Sequence, residues 1–223
     1  MLSTFTPRLD ALPAAQRSFW HELKYVPRHF VLYGGTALAL HVAHRTSVDF
    51  DFFSSEEFQP DDLARGISWL RNAERLQSSP NTLTVAVVRE EPIRISFFGG
   101  LTIGRVGEPL LTNDNMAVVA SLLDIAATKV AVLPQRAEQK DYLDMAQLLK
   151  AGIGLAEILS AARALHPETF NPMIALKALT YFQDGDLPKL PAEVKSLLCD
   201  AAGKVTDIPS VKRVSNQISA PAA

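Results

Sequence analysis

The stretch that decides the fold covers residues 30–53 and reads FVLYGGTALALHVAHRTSVDFDFF. Its opening apolar run, 30–33, is typical of a buried strand. A glycine pair breaks that strand, and good helix formers follow over 36–44, where the Thr36 hydroxyl can cap the helix. The last seven residues, 47–53, alternate again. The stretch therefore predicts the order strand, glycine turn, helix, strand.

Two carboxylates in the second strand are the first chemical signal. Side chains at i and i+2 of a strand point to the same face, so Asp49 and Asp51 share one face and aromatic residues occupy the other. A solvated strand edge is the ordinary alternative. Burying neighbouring like charges is costly without compensation, and aspartate is depleted from strands. The pair therefore favours a site for Mg²⁺, which prefers oxygen ligands.

The glycine turn adds a second signal. Gly34, Gly35 and Thr36 offer backbone N–H groups and a hydroxyl at the start of a helix, where an anion is favoured. A plain tight turn is the alternative for this motif alone. Because the acidic pair follows on the next strand, the strand–helix–strand unit brings both features to one side, which favours a phosphate chain beside a metal.

Two polar residues precede the acids. Ser47 is in phase with Asp49 and shares its face if the strand starts there. Arg45 can neutralise the carboxylates or hold a phosphate, and it can equally be a surface arginine that complements a helix dipole. Both interpretations of Arg45 stay open.

Composition limits the class of protein. The chain has 223 residues, a formal net charge of −2 and one cysteine, Cys199. An internal disulfide is impossible, so a cytoplasmic protein is expected, with Cys199 as a buried small hydrophobe. Neither a signal peptide nor an apolar run of about 20 residues is evident, so no membrane partner is expected. The charge argues against a dedicated nucleic-acid scaffold and says nothing about a local patch.

Hydrophobic periodicity predicts the remaining elements. In the first half, helices are expected over 10–25 and 61–76, and two β-branched runs, 82–88 and 93–98, form a hairpin. The later helices are expected over 121–133, 137–150, 154–165, 172–182 and 192–205.

A change of character near 113–118 separates an α/β half from a helical half. We therefore expect an α/β domain over 1–115, a helical domain over 116–208 and a flexible tail over 209–223, which has little to bury.

The helical half contains a second charged cluster. Lys129 lies in an apolar run, so it either snorkels to solvent or faces a charged pocket. Arg136 follows seven residues later on nearly the same helix face. Asp141 and Asp144 are three apart on the next helix, and a solvated helix face is the ordinary interpretation of that pair.

The quoted residues resemble a known family. The motif LYGGTALAL over 32–40, followed by HRTSVDFDFF over 44–53, resembles the AbiEii/AbiGii family. These are nucleotidyltransferase toxins of type IV toxin–antitoxin systems, within the polymerase-beta-like superfamily. Residues 124–144 look like that family's second block, and the resemblance covers roughly 28–185. It implies an α+β fold, with a mixed-sheet nucleotidyltransferase domain followed by a C-terminal helical bundle.

The resemblance also implies a chemistry. An NTP is the co-substrate, and Asp49 and Asp51 hold Mg²⁺ or Mn²⁺. Asp144 is the candidate base or structural acid, while Asp141 and Arg136 are less favoured. The residues expected to contact the nucleotide are Gly34, Gly35, Thr36, Arg45, Ser47 and Lys129. The acceptor is an RNA, such as the 3′ end of tRNA, or a protein, and the cognate partner is an antitoxin.

One departure from the superfamily pattern matters. Many members carry a third carboxylate on a later strand, and the matching strand here offers Arg94 and Ser96 instead. Either Asp141 or Asp144 supplies the base, or the chain binds nucleotide with weak or lost turnover. A local RNA-binding patch can be formed by Arg65, Arg71, Arg75, Arg136 and Lys140.

Overall fold

The structure is a computed structural model that describes residues 2–43 and 45–219. It divides into two compact units. One is built from the chain up to Ser121 together with the segment that starts at Ser215, and the other is Leu122–Val214. The position predicted as the end of the second helix, His44, lies outside the described residues.

The first unit is organised around a mixed sheet that has eight strands within the described residues. The strands are β1 (Thr4–Phe5), β2 (Val31–Tyr33), β3 (Asp49–Phe53), β4 (Glu74–Ser79), β5 (Thr82–Val88), β6 (Pro92–Phe98), β7 (Leu110–Thr112) and β8 (Val118–Val119). Their spatial order is β1-β7-β8-β2-β3-β6-β5-β4. The strand with the two aspartates, β3, lies centrally, antiparallel to β2 and parallel to β6. The predicted hairpin of β5 and β6 is confirmed.

The helices of the first unit are shorter than the periodicity predicts. They are α1 (Ala14–Phe19), α2 (Gly34–Val42) and α3 (Pro60–Gly66), with 3₁₀ turns at Leu9–Ala11, Trp20–Tyr25 and Ser68–Asn72. The expected helix over 61–76 is wrong beyond Gly66, because Glu74–Ser79 pairs with β5 as an edge strand. Its sequence, ERLQSS, has little β propensity, and the hairpin with β5 determines its conformation.

Aromatic packing on one face of the sheet fixes the orientation of β3. Phe50 and Phe52 are fully buried, and the Phe52 ring stacks on that of Phe97 with centroids 5.3 Å apart. Phe30 and Trp69 complete this cluster against Phe97. Burying one such ring contributes roughly 2–3 kcal/mol, so a one-residue slip of β3 would exchange this core for carboxylates.

The segment after Ser215 docks onto the first unit. Arg105 is buried, and its Nη1 donates to the carbonyls of Gln217 at 2.8 Å and Ser219 at 2.7 Å. Ile218 is 1 % exposed. These contacts correct the expectation of a flexible tail over 209–223, as far as residue 219. Arg105 binds backbone carbonyls there, which composition does not reveal.

The second unit is helical, as predicted. Its helices are α4 (Leu122–Val132), α5 (Gln139–Lys150), α6 (Leu155–Leu165), α7 (Pro172–Leu179) and α8 (Ala192–Gly203), with a 3₁₀ turn at Leu187–Lys189. The boundary lies after Ser121 and not at 115/116, because β8 still pairs within the sheet. The prediction that Cys199 is buried is wrong, since it lies on an exposed face of α8. Among the described residues, no helix combines the length and apolarity needed to cross a membrane.

A buried tyrosine makes the second unit sensitive to alkaline pH. Burial, together with Asp141 and Asp184, raises the pKa of Tyr142 to about 12. Its hydroxyl donates to the Ala178 carbonyl at 3.0 Å. Because the folded pKa lies above the unfolded value near 10, this contribution to stability is complete below pH 10 and is lost as pH rises through 12.

We therefore expect Tyr142→Phe to lose stability less steeply than the wild type above pH 10. The difference in the free energy of unfolding between the two proteins should shrink by about 1.4 kcal/mol between pH 8 and pH 11. Urea unfolding at both pH values measures it. A difference that is the same at both values would contradict the assignment.

Candidate active site

The two carboxylates lie on one face of β3, as the alternation predicts. Asp49 and Asp51 are partly exposed, whereas Phe50 and Phe52 between and after them are buried on the other face. Tyr33 of β2 is in register with Asp51. The Asp49 carboxylate makes no hydrogen bond or ion pair within the part of the chain that the structure describes. It is therefore available to an external ligand.

The glycine turn lies directly against these acids. Gly34 has φ +74°, and a Cβ atom added there would lie 2.8 Å from Asp51 Oδ2. A Cβ atom at Gly35 would lie 2.7 Å from Arg45 Nη2 and 2.8 Å from Ser47 Oγ. The bare turn is thus surrounded by a carboxylate, a guanidinium and a hydroxyl. Only glycine allows the backbone this close to all three groups.

Thr36 has a different role from the predicted one. Tyr33 is the N-cap of α2, and Thr36 lies inside the helix without capping it. Its buried hydroxyl donates to the backbone carbonyl of Asp49. The capping prediction is wrong because the helix begins two residues earlier, at Gly34. Thr36 instead ties the first turn of α2 to the start of β3.

A glutamine that the sequence analysis did not select supports the same strand. Gln16 of α1 is buried, and its Nε2 donates to the Val48 carbonyl at 2.7 Å. The spacing of Gln16 in the sequence could have indicated its burial. Gln16 lies four residues after Leu12 and three before Phe19, which places it on the apolar side of α1. A glutamine there needs a polar partner, and the chain entering β3 provides one.

We expect Gly34→Ala to damage the turn. An L-residue at this positive φ costs about 1–2 kcal/mol, and the new methyl group would displace the Asp51 carboxylate. Metal-dependent NTP affinity, measured by calorimetry, should fall about tenfold, the equivalent of ~1.4 kcal/mol. Gly66→Ala is the matched control, because a Cβ atom there meets nothing within 4 Å. Unchanged NTP affinity in Gly34→Ala would contradict this role.

The donor set fits a hard divalent cation. Two carboxylates share a face beside a turn with bare backbone N–H groups, and such groups suit a metal bound jointly by protein and phosphate oxygens. Within the described residues, no cluster of three or more His, Cys, Asp or Glu side chains forms a complete metal cage. Mg²⁺ commonly uses one or two carboxylates plus substrate phosphates and water, and the two β3 carboxylates can supply the protein's share of such a site.

The neighbouring strand provides no third carboxylate. In the parallel register of β3 and β6, Asp49 pairs with Arg94 and Asp51 pairs with Ser96. Ser96 is buried, and Thr84 of β5 donates to it at 3.4 Å. The β6 positions in register with the two acids are thus an arginine and a serine, as expected from the departure of this sequence from the superfamily pattern.

The second block forms a buried ionic network within the helical unit. Lys129 Nζ lies 3.1 Å from Asp141 Oδ1 and 2.6 Å from Asp144 Oδ2. Arg136 donates to Asp141 through Nε at 2.8 Å and through Nη2 at 3.1 Å. Both aspartate side chains are fully buried. The solvated-face interpretation of Asp141 and Asp144 is therefore wrong, and Lys129 faces a charged pocket.

Two cations, Lys129 and Arg136, contact the carboxylates of this network. Burial alone would lower the pKa of Arg136, but its hydrogen bonds and charge attraction to Asp141 outweigh burial and raise it. Lys140, which immediately precedes Asp141, is exposed and pairs with Glu138 at 2.7 Å. Lys129 is the residue that joins Asp141 to Asp144.

Comparison with known proteins identifies the family. The family described as "Nucleotidyl transferase AbiEii toxin, Type IV TA system" matches residues 25–198. The chain belongs to this AbiEii family. Both blocks of site residues fall inside the matched region. The family assignment makes the protein a nucleotidyltransferase with an NTP substrate, and a type IV system implies an antitoxin partner.

Individual relatives agree with the AbiEii assignment. An uncharacterised protein of Aquifex aeolicus (strain VF5) is 33 % identical over 158 residues, which cover 70 % of this chain and 74 % of that protein. The crystal structure of an H. pylori protein described as a nucleotidyltransferase aligns with a TM-score of 0.55 at 16 % identity, covering 84 % of this chain and 90 % of that one. The second likeness supports the nucleotidyltransferase fold alone.

The predicted residues of this AbiEii protein thus form two groups. The first, in the sheet unit, comprises Gly34, Gly35, Thr36, Arg45, Ser47, Asp49 and Asp51. The second, in the helical unit, comprises Lys129, Arg136, Asp141 and Asp144. Each group is internally connected by close contacts.

Proposed function

We propose that this AbiEii protein transfers a nucleoside monophosphate from an NTP to the 3′-terminal hydroxyl of an RNA such as tRNA, in the cytoplasm and with Mg²⁺ or Mn²⁺. The single observation that supports this most is the position of Asp51, whose Oδ2 would lie 2.8 Å from a Cβ atom added at Gly34, so that a carboxylate lies beside a bare helix N-terminus. Metal and phosphate have adjacent binding groups there.

The reaction follows from these groups. The acceptor oxygen attacks the α-phosphorus, the bond to the β-phosphate oxygen breaks, and pyrophosphate leaves. Gly34 and Gly35 hold phosphate oxygens through backbone N–H groups, with Arg45 and Ser47 beside them. A metal held by the two β3 carboxylates would supply charge neutralisation for the α-phosphate and the leaving group.

The proposal extends to the second block through family membership. From the family pattern, we assign Lys129 to nucleotide binding and Asp144 as the candidate base. Asp141 receives hydrogen bonds from both Lys129 and Arg136, so it suits a positioning residue and not a base. Asp144 forms an ion pair with Lys129 at 2.6 Å.

The test is incubation with each α-labelled NTP, Mg²⁺ and either total tRNA or a cellular protein fraction, with separate RNA and protein gels. We expect label on RNA, and none with a folded Asp49→Ala variant. Label on neither acceptor would contradict the proposal. Label on protein only would retain nucleotidyl transfer and replace the acceptor.

A specific observation favours one alternative. The β6 positions in register with Asp49 and Asp51 are Arg94 and Ser96, so no acid supplements the pair on that strand. A nucleotide-binding module with weak or no turnover is the second candidate. Calorimetry would show metal-dependent NTP binding without pyrophosphate release if that candidate holds.

A further inference from the structure

An arginine lies on the strand next to the two carboxylates. Arg94 on β6 is in register with Asp49 on β3, and the two strands run parallel. Residues in register on neighbouring strands project to the same face of a sheet. The Arg94 side chain therefore shares the face of the two carboxylates, one strand away from them.

Arg94 has no internal counter-ion. It is exposed and makes no hydrogen bond or ion pair, with Asp49 or with any other residue of the described ranges 2–43 and 45–219. It therefore does not neutralise the acid pair. Four of the five cations predicted to form an RNA patch do have acidic partners: the pairs are Arg65–Asp62, Arg75–Asp61, Arg136–Asp141 and Lys140–Glu138. Arg94, by contrast, is available to an external anion.

The order of the strands indicates which part of the substrates the external anion on Arg94 belongs to. The glycine turn continues from β2, so β2, β3 and β6 place the turn on one side of the acids and Arg94 on the other. In phosphoryl transfer, the attacking and leaving oxygens lie roughly in line on opposite sides of the phosphorus. With the leaving phosphates at the glycine turn, the nucleophile approaches from the β6 side. Arg94 is the cation on that side.

We infer that Arg94 is an acceptor-binding residue that holds a backbone phosphate of an RNA next to its attacking hydroxyl. This inference rests on the proposed function. A guanidinium binds phosphate through two parallel N–H···O bonds, which position as well as attract it. A serine or tyrosine hydroxyl on a protein acceptor brings no phosphate, so Arg94 favours RNA over protein.

The test is RNA binding without NTP. Fluorescently labelled total tRNA is titrated with the full chain at several salt concentrations, and anisotropy gives the affinity and its salt dependence. We expect Arg94→Ala to bind about tenfold more weakly and to lower the slope of log K against log salt by about 0.7–0.9, the value of one phosphate contact. Arg94→Lys should retain the slope and recover part of the affinity.

Two controls separate binding from folding and from nucleotide binding. Arg8→Ala removes an exposed arginine of the same unit that lies outside the predicted patch and pairs with Asp10, and it should leave affinity and slope unchanged. Arg94→Ala should bind Mn²⁺ and NTP as the wild type does, which excludes a misfolded site.

Equal RNA affinity and equal slope in Arg94→Ala and the wild type would overturn the inference, and so would a wild type that binds no RNA. Transfer to protein alone, undiminished in Arg94→Ala, would also overturn it while leaving nucleotidyl transfer intact. If the wild type releases no pyrophosphate, the proposed function fails, and the salt slope still decides the role of Arg94.

Discussion

Asp49→Asn is expected to lower the rate of nucleotidyl transfer about a thousandfold, the upper range for losing one preorganised electrostatic group. The variant keeps the shape of the side chain and removes one of two carboxylates on the exposed face of β3. The Asp49 carboxylate has no hydrogen-bond partner among the described residues, so the change breaks no hydrogen bond within them. Metal-dependent NTP binding should be lost.

The stability of Asp49→Asn distinguishes this loss from misfolding. Because one of two like charges on neighbouring positions is removed, the free energy of unfolding should stay equal or rise slightly. Asp62→Asn is the matched control, since Asp62 is an exposed acid of the same unit. It should leave transfer unchanged. Wild-type turnover in Asp49→Asn would remove Asp49 from the metal site.

Lys129→Met is expected to lower the free energy of unfolding by about 3–5 kcal/mol, the cost of removing one partner of a buried ion pair. Lys129 Nζ lies within 3.1 Å of carboxylate oxygens of both Asp141 and Asp144, and neither acid is exposed. Arg136 still pairs with Asp141 after the change, so part of the charge balance at that carboxylate is kept. Chemical unfolding followed by circular dichroism measures the change.

Two further variants make this prediction specific. Lys140→Met removes an exposed lysine of α5, the helix that carries Asp141 and Asp144, and should change stability by less than about 0.5 kcal/mol because Lys140 pairs only with the surface residue Glu138 among the ion pairs of the described residues. Lys129→Met combined with Asp144→Asn removes a cation and an anion together and should recover much of the loss. A Lys129→Met protein as stable as the wild type would show that the network does not depend on Lys129.

This structural role affects how activity data are interpreted. Lys129, Arg136, Asp141 and Asp144 hold one another in the helical unit, so replacing any of them removes support from the rest. A loss of transfer in these variants therefore identifies a role in the reaction only when stability is measured beside it.

Local sequence determines much of the fold. Strand β3 is predictable because acids alternate with phenylalanines along it, and β5 is predictable from its run of β-branched residues. The helices of the second unit are predictable from the helical spacing of apolar residues and from the glycines and prolines at the helix ends. These elements are fixed by contacts that each segment makes through its own side-chain pattern.

The elements missed are those that neighbours impose. β4 has a polar sequence and exists because β5 pairs with it, and β1 and β8 are two residues long. The docking of Ile218 depends on Arg105, more than a hundred residues away in the chain. Tertiary contacts override weak local propensity at these places.

The same distinction between predictable and unpredictable features applies to the candidate site. The face shared by Asp49 and Asp51 is readable from a two-residue period, and the glycine turn from residue type. The hydrogen-bond and ion-pair partners of the site residues cannot be predicted in this way. Thr36 donates to the Asp49 carbonyl, and Lys129 pairs with aspartates of the following helix instead of extending into solvent. Both partners come from chain segments that meet only in the folded structure.

The most direct test of the central claim is pyrophosphate release, measured in the same reaction as labelled nucleotide transfer to total tRNA. We predict that release requires the wild-type chain, divalent metal, NTP and tRNA together, with one pyrophosphate formed for each nucleotide transferred. Metal-dependent NTP binding with neither pyrophosphate release nor labelled RNA would contradict it, and would identify a nucleotide-binding module.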